Sequence, residues 1–233
     1  MNPSRWVRPT PLMSVAAFAA LLMIAMTAGF LAARYAALPD LLAVHFNRNG
    51  IPNGFQYKTW PRVLMPVFVQ LALLLTLGVI AALLLSRPHG DHEEDAPDVR
   101  AAATAAEAVA VMGSIWIIVQ GYGAFAISRM WQRQIARLDY YGAVELLAFI
   151  LTIVAAVRAH VRLGRPAPRP FVPEHWRFGQ LYNNPSDPAL FVPTRNGARW
   201  TLNFGRPVAA ALMGIILAIG IIAPALILGL SLR

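Results

Sequence analysis

Five long apolar stretches separated by polar and aromatic segments dominate the chain: residues 12–33, 63–85, about 101–128, 140–157 and 208–232. A helix rises about 1.5 Å per residue and satisfies its own backbone hydrogen bonds, so roughly 20 apolar residues cross a hydrocarbon core of about 30 Å. The pattern therefore predicts an all-α integral membrane protein with about five transmembrane helices. The first stretch runs for 22 residues without a charge, longer than the apolar region of an ordinary signal peptide, and reads as a retained helix. The third is over-long and alanine-rich at its start, with Glu107 inside it. Its first turn or two should lie in the interface, and the span proper should begin near Ala108. The fourth is the shortest; Glu145 sits just inside it, behind the interfacial pair Tyr140 and Tyr141.

Composition agrees with a lipid solvent: 58% of the 233 residues are hydrophobic and 13% charged. The formal charge of +9 raises the question of nucleic acid. The basic residues are, however, spread between the apolar runs and form no separate basic domain, so membrane orientation accounts for them and no nucleic-acid partner is expected. Lys and Arg number 2, 2 and 8 in the N-terminus, the second-to-third loop and the fourth-to-fifth loop, against 4, 3 and 1 in the other loops and the C-terminus. Twelve against eight favours an N-inside, C-outside arrangement. The absence of cysteine excludes disulfides, thiolate metal sites and a cysteine nucleophile.

Three segments follow from this pattern. Residues 1–100 form a two-helix unit with an outer loop and an acidic linker, 101–157 a central two-helix unit, and 158–233 a basic-aromatic inner loop plus the last helix. The loops 38–60 and 158–207 are too rich in Trp, Phe, Tyr, Pro and Gly for disordered linkers and should be ordered at the membrane surface.

In the first loop, Val44 and Phe46 alternate with His45 and Asn47, and Asn49-Gly50 and Asn53-Gly54 are turn signals, which together predict a short hairpin. On it His45 and Asn47 share a face. They make a candidate recognition pair, since histidine is the side chain class that changes charge near neutral pH and asparagine both donates and accepts. The competing reading has both satisfying backbone groups in a tight turn.

Other chemistry is weakly signalled. The run His89-Gly90-Asp91-His92-Glu93-Glu94-Asp95, with His160 and His175 on the same predicted side, offers metal-ligand types but no standard spacing, and reads as a solvated charge run facing the basic loop. Gly121-Tyr122-Gly123-Ala124-Phe125-Ala126 matches a relaxed dinucleotide fingerprint, which needs a preceding strand; inside a membrane helix its glycines read as close-packing positions. There is no Gly-x-Ser-x-Gly, no phosphate loop and no paired catalytic carboxylates. No catalytic residue, metal or cofactor is therefore expected, and the protein reads as non-enzymatic. Few polar residues lie within the spans (Gln70, Glu107, Gln120, Glu145), which counts against an autonomous ion-coupled transporter.

The fourth-to-fifth loop is the most distinctive segment. Leu190-Phe191-Val192 and Trp200-Thr201-Leu202 suit short strands joined at Asn196-Gly197, after Asn-Pro and Asp-Pro turns. Its arginines, mixed with Trp and Tyr at a helix end, suit the headgroup layer, either as an anchor or as a partner-binding surface.

Both loops carry motifs of bacterial membrane proteins of largely unknown function. Leu38-Pro39, Val44-His45-Phe46-Asn47 and Gly50-Ile51-Pro52-Asn53-Gly54 through Lys58 resemble the His-Phe-Asn loop domain that also occurs in SdpI-type immunity proteins. Tyr182-Asn183, Asp187-Pro188, Leu190-Phe191-Val192-Pro193 and Trp200-Thr201-Leu202-Asn203-Phe204-Gly205 resemble a second uncharacterised domain that often accompanies it. Asn53 stands where the first family usually has aspartate, and Thr194 where lysine is common in the second. The resemblance implies a multi-pass protein of the bacterial cytoplasmic membrane acting in envelope sensing or immunity to a membrane-active agent. The expected partners are the bilayer and either a membrane-active peptide or a cytoplasmic regulatory partner. The candidate ligand or partner residues are His45, Asn47, Asn53 and Lys58 in the first loop, and Tyr182, Asn183, Asp187, Arg195, Trp200 and Asn203 in the second. The alternatives are a transporter or permease-associated subunit and, further off, a metal-dependent membrane enzyme.

Overall fold

The computed structural model describes residues 6–47, 49–86, 96–136, 138, 140–167 and 169–218. Among the described residues four helices are long and apolar enough to cross a membrane: α1 (Pro11–Arg34), α2 (Met65–Leu85), α3 (Pro97–Trp131) and α4 (Tyr141–Leu163). A shorter apolar helix, α5 (Pro207–Leu217), opens the fifth predicted span; residues 219–232 of that stretch lie outside the described residues. Three two-stranded antiparallel hairpins complete the fold: β1 (Leu41–Phe46) with β2 (Pro52–Tyr57), β3 (Trp176–Arg177) with β4 (Leu181–Tyr182), and β5 (Phe191–Pro193) with β6 (Trp200–Leu202). The protein is thus an all-α membrane protein with hairpin loops.

The helices match the apolar pattern, with revised ends. α4 continues past residue 157 to Leu163, and its last turns carry Arg158, His160 and Arg162, cations suited to a helix C-terminus. α3 begins at Pro97, with Asp98 in its first turn, where the helix dipole favours an acid. Along α4 only Ala148 is fully buried, while Leu146, Phe149, Val154 and Val161 face outward. In a membrane span such a surface is covered by hydrocarbon, so it needs no polar screen.

The chain divides into two compact units. The first described here comprises Pro11–Gly78 and Ala108–Val157. Its core joins α1, α2 and α3 through Ala20, Ile24, Leu31, Val67, Ile117 and Ala124. A buried polar joint crosses this core: Gln70 Nε2 donates to Thr27 Oγ1 (3.2 Å) and to the Ile117 carbonyl (2.9 Å). Thr27 Oγ1 in turn donates to the Met23 carbonyl at 2.8 Å. In a hydrocarbon setting these bonds replace the water that Thr27 and the Gln70 amide nitrogen lack, while the buried Gln70 Oε1 has no partner among the described residues. Gly121 packs where a Cβ would stand 2.5 Å from Met23 Sδ, and Gly113 where one would stand 2.8 Å from Leu77 Cδ1. The glycine-rich run is a helix-packing surface, as its place in an apolar helix predicts.

The other unit comprises Met1–Thr10, Val79–Glu107 and Arg158–Arg233. Buried Glu107 of α3 accepts hydrogen bonds from Thr10 Oγ1 (2.5 Å), Arg158 (2.9 Å) and Arg162, which join α3 to the C-terminal end of α4. A buried carboxylate needs partners of this kind, and the two arginines lie one turn apart on one helix face.

Candidate functional site

The β1–β2 hairpin rises directly from the end of α1. Its turn is organised by Asn47, whose Oδ1 accepts from the backbone N–H of Asn49 (2.9 Å) and Ile51 (3.0 Å). The Asn47 N–H also donates to the Ile51 carbonyl at 2.9 Å. Gly50 has φ +70°, the left-handed region that glycine occupies without penalty. Asn47 therefore serves the turn, the competing reading raised from sequence.

His45 is used differently. Its Nδ1 lies 2.5 Å from Asn53 Oδ1, an acceptor, so Nδ1 carries the proton. In that tautomer Nε2 is left to accept from a ligand. Gly54, opposite His45 in the register, allows the strands to approach there: a Cβ would stand 2.8 Å from the His45 Cβ. The strand register shifts on both sides of His45, between Ala43 and His45 and again before Phe46. Irregularities of this kind re-aim side chains out of the regular alternation.

Three contacts brace the hairpin. Trp131, at the end of α3, donates its Nε1–H to the carbonyl of buried Ala43 at 2.8 Å. Lys58 Nζ donates to the Leu38 carbonyl (2.7 Å), lies 3.6 Å from Asp40 Oδ1 and sits 5.3 Å from the Tyr35 ring centroid. Tyr35 and Trp60 stack face to face at 3.8 Å. Lys58 is thus a latch at the hairpin base. Beyond these braces Leu41, Val44, Ile51, Phe55 and Tyr57 remain exposed, Tyr57 at 75%.

In the other unit, Asn203 is wholly buried and makes five hydrogen bonds. Its Oδ1 accepts from the N–H of Asn184 and Gly205 (3.0 Å each), and its Nδ2 donates to the carbonyls of Asn184, Asp187 and Ala189 at 2.9–3.2 Å. It ties the Asn-Pro/Asp-Pro loop to the end of β6. Gly205 is required beside it, because a Cβ there would stand 2.5 Å from the Asn184 carbonyl carbon.

Asp187 Oδ1 accepts from the Ala189 N–H (2.9 Å), and its Oδ2 accepts from Tyr182 Oη and Arg169 (3.0 Å each). Burial raises the Tyr182 hydroxyl above the usual tyrosine range; the hydrogen bond from Asn184 opposes this, and the Asp187 charge adds to it. The Asn183 N–H donates to the His175 carbonyl at 2.8 Å. Trp200 Nε1 donates to the carbonyl of Leu163, the last residue of α4, at 3.1 Å. The Arg195 guanidinium lies over the Phe171 ring at 4.5 Å. Thr194 bonds its hydroxyl to Asn196 Oδ1 (2.9 Å) and the Arg199 carbonyl within the β5–β6 turn.

Of the sequence candidates, His45 and Asn53 come together, as do Tyr182, Asp187 and Asn203; Asn47 and Lys58 serve the turn and the base of the first hairpin. The β3–β4 hairpin, Trp131 and the Arg169–Asp187 pair escaped the sequence reading. The one available signal was the placement of Trp131 at the end of an apolar run. Among the described residues no group of three or more metal-ligating side chains converges. The acidic run from His89 to Asp95 lies outside the described residues.

This arrangement defines a class: a multi-helix membrane protein with two ordered hairpin-bearing loop domains. Residues 22–70 are similar to a domain of unknown function (DUF1648), and residues 185–209 to a family of unknown function (DUF5808). The first match takes in α1 from residue 22 onward, the β1–β2 hairpin and the start of α2; the second takes in the β5–β6 hairpin and Asn203 with its partners other than Asn184. No curated protein and no solved structure matches the chain.

Proposed function

We propose that the protein is a non-enzymatic receptor for a membrane-active agent, acting in envelope sensing or immunity, with the β1–β2 hairpin as its recognition element. The observation that carries this reading is a hairpin braced at Ala43, Lys58 and Trp60 that keeps Leu41, Val44, Phe55 and Tyr57 exposed. A braced surface loses little conformational freedom on binding, so its apolar area converts into affinity more efficiently than that of a flexible loop. Clustered exposed aromatics of this kind mark interaction surfaces. An amphipathic peptide would lay its apolar face on Leu41, Phe55 and Tyr57, with His45 Nε2 supplying one polar contact. The resemblance of the His-Phe-Asn loop to SdpI-type immunity proteins favours the same class of function.

The excess of arginine in the N-terminus and the second-to-third and fourth-to-fifth loops favours the bacterial cytoplasmic membrane with the N-terminus inside. The β1–β2 hairpin then meets the envelope side, and the basic-aromatic loop meets the cytoplasmic leaflet or a regulatory partner. The test is survival of cells with and without the protein under a panel of amphipathic membrane-active peptides. The wild-type chain should protect against at least one peptide. Phe55→Ser and His45→Ala should lose that protection at unchanged abundance in the membrane. Equal survival with and without the protein across the panel would sink the proposal.

A further inference from the structure

The hairpins β3–β4 and β5–β6 enclose an open groove of about 730 Å³ between their turns, lined by Trp176, Gln180, Arg195, Asn196 and Arg199. Its cations are uncompensated. Among the described residues neither Arg195 nor Arg199 nor Arg177 pairs with a carboxylate, while Asp187 is already taken by Arg169. Arg195 is held in place by the face of Phe171, which fixes the guanidinium without neutralising it. A guanidinium so placed presents its planar donor fork to a tetrahedral oxyanion.

A second observation says what carries that anion. The β3–β4 turn, closed by the Gln180 N–H donating to the Arg177 carbonyl at 3.2 Å, has both Phe178 (φ +50°) and Gly179 (φ +71°) in the left-handed region. Turns with two such residues are normally filled by Asn-Gly, and a bulky aromatic at the first position works against the turn. Phe178 is also 93% exposed, so no packing within the protein rewards its presence. An aromatic at the tip of a turn that it disfavours, flanked by Arg177 and next to an arginine-lined groove, is the arrangement that enters the acyl boundary while cations engage headgroups. The location agrees: Trp200 ties β6 to the last residue of α4, a helix long and apolar enough to cross a membrane, so β6 stands at the end of that helix.

We propose that this groove binds the phosphate of an anionic phospholipid, with Arg195 and Arg199 on the headgroup and Phe178 inserted beside the acyl chains. The site does not depend on the role of the β1–β2 hairpin. The test uses the detergent-solubilised full-length chain in native mass spectrometry with three probes: short-chain phosphatidylglycerol, phosphatidylcholine of the same chain length, and glycerol phosphate. Phosphatidylglycerol should bind about ten-fold or more tightly than either of the others. Arg195→Gln and Arg199→Gln should each weaken it about five-fold, the effect of one cation at an anionic surface. Phe178→Asn places a turn-favouring residue at the tip; it should keep or raise thermal stability and yet weaken phosphatidylglycerol binding. Equal binding of the two lipids, or phosphatidylglycerol binding unchanged in both arginine variants, overturns the proposal. Glycerol phosphate binding as tightly as the lipid would make the ligand a soluble phosphate ester and overturn the lipid assignment. Loss of stability in Phe178→Asn with lipid binding intact would make Phe178 structural and overturn its insertion.

Discussion

Asn47 in the β1–β2 hairpin and Asn203 after β6 are both loop asparagines, and both spend their side chains on backbone groups. They differ in setting. Asn47 is exposed and caps two N–H groups at an exposed turn; Asn203 is wholly buried and serves five backbone groups, of which the Asn184 carbonyl also accepts from the Asp187 N–H. A loop asparagine therefore marks architecture in both units, at different energetic weight. The two proposals give ligand contact to other residues: His45 Nε2 and the exposed apolar side chains in one unit, Arg195 and Arg199 in the other.

That contrast sets the scale of the expected effects. Asn203→Ala should be the most damaging, costing roughly 3–5 kcal/mol, because buried carbonyls and N–H groups lose their partners together. Thermal unfolding of the solubilised protein measures it, and a cost equal to that of Asn47→Ala would erase the comparison. Trp131→Phe should come next at about 1–3 kcal/mol, since it keeps the ring packing and leaves the Ala43 carbonyl unpaired. Its signature is faster hydrogen exchange confined to β1 and β2. Asn47→Ala should cost about 1 kcal/mol, the value of an exposed side-chain cap, and Asn47→Asp should recover most of it because a carboxylate accepts the same two bonds.

The smallest effect is a pH dependence at Tyr182. Its folded pKa is raised, so the folded state holds that proton more tightly than the unfolded chain. The associated stability is present below the ordinary tyrosine pKa of about 10 and is lost as pH rises through the higher folded value. Tyr182→Phe should remove this alkaline component of the melting curve. An unchanged alkaline limb in that variant would show that folding does not raise the Tyr182 hydroxyl.

Much of the fold was legible because lipid imposes a simple code: about 20 apolar residues make a helix, and the ends of α1 and α2 fall within a few residues of the apolar runs. The hairpin turns at Asn49-Gly50 and Asn196-Gly197 were legible from turn chemistry. The extension of α4 to Leu163 was not, because Arg158 and Arg162 look like loop residues until Glu107, some fifty positions earlier, is seen to hold both. The β3–β4 hairpin escaped for a local reason: Phe178 occupies a turn position where its type gives no turn signal. The site was partly legible. His45 stood out as a lone imidazole, whereas its bond to Asn53 and the bracing by Trp131 depend on register and tertiary contact.

The most direct test of the account is whether the β1–β2 hairpin faces the envelope. The chain has no cysteine, so single cysteines at the exposed positions Asn49 and Ala198 can be probed in intact cells with a membrane-impermeant thiol reagent. Labelling at Asn49→Cys, with Ala198→Cys labelled only after the membrane is opened, is the predicted result. Labelling in intact cells at Ala198→Cys alone would contradict the account, reversing the topology and removing the hairpin from the side where it would meet a membrane-active agent.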